Sequence, residues 1–157
     1  MSTLLPPPRR RTRTVALILG IPFLAGLALL TLTPSRVEEK MPNLLDAVLR
    51  GIHRLGWESL DFTKLEILAN VLVFIPVGIL AFVLLPRRAW PVSLLIGPGI
   101  SLTIELAQRF ALPHRAATVN DVLANSTGAI LGVLVAVLCT LLFAPRVSRV
   151  SPTLEAS

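Results

Sequence analysis

Residues 15–32, VALILGIPFLAGLALLTL, run for 18 positions without a charge. At ~1.5 Å per residue such a stretch makes a helix about 27 Å long, enough to cross the hydrocarbon of a bilayer. Lipid offers the backbone no hydrogen-bond partner, so a segment of this kind must satisfy its amides internally, as an α-helix does. Three more segments repeat the theme, at about 65–85, 90–110 and 119–143. The expected fold is therefore all-α: an integral membrane bundle of four transmembrane helices. Composition agrees, because a chain that is 54% hydrophobic and only 15% charged is seldom a soluble domain. Pro22 and Pro76 fall inside spans and are expected to kink them, which membrane helices tolerate when neighbours satisfy the freed carbonyls.

This reading divides the chain into a basic Pro/Arg-rich tail (1–14, expected to be disordered), a transmembrane domain (15–144) and a second tail (145–157). The first span follows PPPRRRTRT, which would serve as the positive region of a signal peptide. Its apolar run is longer than the usual signal core and no Ala-x-Ala site follows, so an uncleaved anchor fits better. A twin-Arg signal lacks its surrounding residues.

The formal net charge of +6 does not point to nucleic acid, since the basic residues flank apolar runs and no basic patch carries interleaved aromatics. With four spans, Arg9, Arg10, Arg11, Arg13, Arg87, Arg88, Arg146 and Arg149 share one side, packed against span ends. Most basic residues of the other side are spread through the long 33–64 loop. Both tails are therefore expected in the cytoplasm. In that loop Leu44, Leu45, Val48, Leu49, Ile52 and Leu55 share one helical face. An amphipathic helix lying on the outer membrane surface and a helix capping the bundle both fit this spacing.

Chemistry concentrates in the last three spans. Glu105 sits in SLTIELAQRF, and a charge at the bilayer centre costs roughly 2.5–3.5 kcal/mol on insertion scales. Ser101, Glu105 and Gln108 are spaced i, i+4, i+7 and share one helix face. Asp121, Asn125, Gly128 and Gly132 do the same in the fourth span, and Asn70, Phe74 and Gly78 in the second. Such stripes are expected to face one another, because lipid leaves polar groups without partners. Counted from the outer ends of their spans, Asn70 and Glu105 both lie ~8–9 Å deep at ~1.5 Å per residue. Asn70, Glu105, Gln108, Asp121 and Asn125 thus converge near the outer leaflet, with Arg115 in the following loop able to reach two carboxylates.

Interhelical polar contacts are also common glue in membranes, averaging ~0.6 kcal/mol each, and small residues four apart are packing devices. Gly78, Gly128 and Gly132 are read as packing positions. Two carboxylates and an arginine exceed what glue requires, so Asn70, Glu105, Gln108, Arg115, Asp121 and Asn125 form the candidate ligand site. No metal or cofactor is implied: His114 is far in sequence from the only other histidine, His53. Ser101 has no base beyond Glu105 on its own helix and no nucleophile elbow around it. Cys139 is the sole cysteine, so no internal disulfide can form.

In order and spacing, NVLVFIPVG (70–78), SLTIELAQ (101–108) and HRAATVNDVLANSTGAILG (114–132) resemble the VanZ-like family of bacterial membrane proteins. Asn70, Phe74, Pro76 and Gly78 fill the first block of that pattern. Ser101, Glu105 and Gln108 fill the second, and Arg115, Asp121, Asn125, Gly128 and Gly132 the third; the shared motifs cover 65–143. The resemblance implies a multi-pass protein of the bacterial cytoplasmic membrane. The family's founding member is linked to resistance to teicoplanin, a lipid-bearing glycopeptide that targets cell-wall precursors of the envelope.

Three functions fit these residues. The first is a binding module whose outward-facing polar pocket engages a head group of an envelope lipid, a lipid-linked cell-wall precursor or a lipoglycopeptide antibiotic. The second is an intramembrane enzyme on such a lipid, with Glu105 or Asp121 as general base. The third is a structural or assembly partner in the membrane. The sequence leaves the oligomeric state open.

Overall fold

The computed structural model describes residues 5–32, 61–111 and 118–143, with residues 46, 47, 50, 51, 54 and 56 between them. Four long helices follow one another: α1 (Arg10–Leu32), α2 (Phe62–Leu84), α3 (Ser93–Ala111) and α4 (Val119–Phe143). All four are long and apolar enough to cross a membrane, α3 together with the short 3₁₀ stretch Arg87–Val92 that precedes it. Among the described residues there is no strand. The expected bundle of four membrane helices is what the chain forms.

The helix ends follow from local chemistry. The Asp61 side chain accepts from the Lys64 backbone N–H at 2.9 Å and caps α2. At the far end Leu85 turns extended ahead of Pro86, as a residue before proline does, and the helix stops. Pro22, Pro76 and Pro98 all lie within helices that continue through them.

The helices bury little of their apolar surface against each other. In α1, Ile18, Leu19, Ile21, Leu29 and Leu30 are all exposed, as are Leu131, Leu134 and Leu138 in α4. In water such faces would drive aggregation; in hydrocarbon they meet their natural solvent. In α3 what goes inward is small or polar instead. The buried positions of α3 are Ser93, Gly97, Ser101, Glu105 and Gln108, without one large apolar side chain among them.

Small residues let the backbones close. A Cβ on Gly78 would meet the backbone of Ala129, one on Gly128 the carbonyl of Val71, and one on Gly132 the carbonyl of Ile75. Gly97 approaches Ala129 from α3, so Ala129, 1% exposed, is where α2, α3 and α4 meet. α1 lies at the edge, with Leu27 reaching the cluster of Phe74, Val77 and Ala129.

In the segment ahead of the first apolar run, Leu5 is buried with Phe82 and Val133, and α1 begins at Arg10, five residues before that run. Arginine is a good helix former, and the Arg13 amide already donates to the Arg9 carbonyl. The expected apolar face of the loop helix (44, 45, 48, 49, 52 and 55), the loop residues His114 and Arg115, and the tail from 144 lie outside the described residues.

Candidate functional site

Four helix ends come together on the side of the bundle away from Arg10. They are the C-terminal end of α1, the N-terminal part of α2, the C-terminal part of α3 and the start of α4. Hydrogen bonds join them pairwise. The Asn70 amide of α2 donates to Asp121 Oδ1 of α4 at 2.9 Å. The Asn125 amide of α4 donates to the Ser101 hydroxyl of α3 at 3.1 Å. The Gln108 amide of α3 donates to the Thr31 carbonyl of α1 at 2.8 Å.

Local sequence sets each of these side chains. Thr118 and Asp121 form a reciprocal turn at the start of α4: the Thr118 hydroxyl donates to Asp121 Oδ2 and accepts from the Asp121 amide. This resembles a capping box, in which an N-cap hydroxyl and an acidic side chain three residues on satisfy the free end of a helix. Asp121 therefore accepts on both carboxylate oxygens, and the helix N-terminus favours its negative charge. On α3 the 3.6-residue period places Ser101, Glu105 and Gln108 on the one buried face, at 0%, 7% and 6% exposure.

Of the expected site residues, the structure brings Asn70 to Asp121 directly and places Asn125 on the α3 stripe that holds Glu105 and Gln108. Gln108 turns to α1 instead of towards Asp121. Arg115 lies outside the described residues. Thr31, Thr118 and Gly97 were not singled out from the sequence. Thr31 takes part through its backbone, which carries no residue signature. Thr118 did leave one, in the spacing Thr-x-x-Asp ahead of an apolar run.

The three amides of this cluster bond to neighbouring helices. Each of the three amides gives a hydrogen to a protein oxygen. The carboxylates of Glu105 and Asp121 are acceptor-only when ionised, and Asn125 Oδ1 is buried with no donor reaching it among the described residues. A buried polar atom left in this way costs ~1–3 kcal/mol, so it calls for a donor from elsewhere.

A family model described as VanZ/LLP1 matches residues 15–142, all four spans. Among curated proteins and among solved structures, none matches the chain.

Proposed function

As the chain belongs to the VanZ/LLP1 family, we propose that it is a protein of the bacterial cytoplasmic membrane whose polar cluster binds the head group of an envelope lipid. A lipid-linked cell-wall precursor and a lipoglycopeptide antibiotic are the alternative ligands, each joining a donor-rich polar part to a lipid chain. The observation that carries this reading is the buried Asn125 Oδ1, which no donor reaches among the described residues, beside the buried polar face of α3 that holds Glu105 and Gln108. Such a site suits a head group rich in N–H and O–H donors, such as a sugar, amine or amide, better than a bare phosphate. Its place near a membrane surface lets a lipid present the head group while its chains stay in hydrocarbon. With both tails in the cytoplasm, the site opens to the outside.

Native mass spectrometry of the full-length protein from its own membranes tests this directly. The expected result is a co-isolated lipid that disappears in Glu105→Gln and Asp121→Asn while both variants accumulate normally. Exchange of a buried charge for a neutral isostere often leaves stability intact. If both variants keep the parent's lipid, or the parent carries none, the cluster is helix-joining scaffold. Conversion of a labelled lipid extract would make the site catalytic, with Glu105 or Asp121 as general base.

A further inference from the structure

The opposite end of the bundle has a different chemistry. Arg9, Arg10, Arg11, Arg13, Arg87 and Arg88 gather there, and among the described residues that end holds no carboxylate. Arg87 is 8% exposed, yet its guanidinium is met only by dipoles and a ring. It donates to the carbonyls of Pro6 at 3.0 Å and Phe82 at 2.8 Å and lies 4.0 Å from the Phe82 ring centroid. These contacts satisfy N–H groups and close the last turn of α2, but they leave the positive charge in place.

Two grooves open at this end. One, of about 410 Å³, runs between α1 and α2 and is walled by Val15, Leu19, Phe23, Pro76 and Leu80. The other, of about 440 Å³, lies between the 6–9 segment and the ends of α2 and α4, and its walls include Arg9, Arg87, Val135 and Phe143. Both grooves share Thr12, Ile79 and Val83. Two largely apolar grooves therefore adjoin a shared wall, one of them edged by Arg9 and Arg87, which face no carboxylate among the described residues. That is the shape of a molecule with one anionic head and two hydrocarbon chains. Basic pockets between membrane helices recognise anionic head groups by this combination of charge and adjoining apolar surface.

We propose that this end binds an anionic diacyl phospholipid, its phosphate set between Arg9 and Arg87 and one acyl chain lying in each groove. The phosphate supplies the anion that Arg87 lacks among the described residues. The chains cover apolar walls that helix packing leaves open. The site is separate from the Asn70–Asp121 cluster and stands or falls apart from the function proposed for it.

The test uses the full-length protein in detergent with equimolar phosphatidylglycerol and phosphatidylcholine, read by native mass spectrometry. The wild type is expected to retain phosphatidylglycerol several-fold more than phosphatidylcholine. Arg9→Gln should bring that ratio close to one. Arg11→Gln removes the same charge from a residue that does not line the groove, and it should leave the ratio nearly unchanged. Thr12→Phe, an exposed change at the shared wall, should reduce retention of both lipids. Equal retention of the two lipids by the wild type overturns the proposal. So does an equal loss in Arg9→Gln and Arg11→Gln, which would mark diffuse surface charge in place of a site. Undiminished lipid in Thr12→Phe would remove the grooves from it.

Discussion

Asp121 shows how a carboxylate is made tolerable at the edge of a membrane. Asn70 donates to one oxygen, Thr118 to the other, and the end of α4 adds its dipole. The Asn70–Asp121 bond joins two helices, so its worth can be measured as a coupling between them. A double-mutant cycle over Asn70→Ala and Asp121→Ala, read by denaturation in mixed micelles, should give about 0.6–1.7 kcal/mol, the range for interhelical side-chain bonds in membranes. A coupling indistinguishable from zero would mean that water or lipid serves each group as well as the other does. Thr118→Ala should cost ~0.5–2 kcal/mol through the lost cap alone. At this scale the sequence was legible wherever periodicity decides. Ser101, Glu105 and Gln108 share a face because 3.6 residues make a turn, whatever surrounds the helix. The destination of the Gln108 amide was not legible, since its acceptor is the backbone of Thr31 on a distant span.

Between elements, the closest fit is α2 against α4. Gly78, Gly128 and Gly132 each leave room for a backbone group of the facing helix, so the two axes approach without side chains between them. Dispersion contacts then replace the hydrophobic drive that lipid cannot supply. Gly128→Leu would push a side chain onto the Val71 carbonyl and the Phe74 Cβ. The expected outcome is a several-fold fall in folded protein, consistent with overpacking costs of ~1–3 kcal/mol, measured as the monodisperse fraction after detergent extraction. Gly26→Leu provides the contrast, because nothing stands near its Cβ position and the fraction should hold. Glycines four apart on α4 announced this contact in the sequence. Gly97 carried the same signal, four residues from both Ser93 and Ser101, and it marks the face of α3 that meets Ala129. The start of α1 was harder to read. Arg10, Arg11 and Arg13 have the composition of a solvated tail, whereas the structure buries Leu5 against Phe82 and Val133 and bonds Arg87 to the Pro6 carbonyl.

Taken whole, the molecule is polarised along its helices. One end gathers Asn70, Glu105, Gln108 and Asp121, and the other gathers Arg9, Arg10, Arg11, Arg13, Arg87 and Arg88. Four crossings put both tails at the arginine end, so a single fact, which leaflet holds the arginines, orients everything else. Arginine and lysine close to span ends favour the cytoplasmic side, and anionic lipids there add to the attraction. The arginine end should therefore face the cytoplasm and the carboxylate end the outside. In a Cys139→Ser background, cysteines placed at Ser35 and Pro113 should react with an impermeant thiol reagent in intact cells, and one at Ala89 should react only after the membrane is opened. Ala89 adjoins the buried Arg87, on the short turn between α2 and α3, so its labelling reports the arginine end itself. The reverse pattern would turn the polar cluster towards the cytoplasm, where neither a cell-wall precursor beyond the membrane nor an antibiotic arriving from outside could reach it.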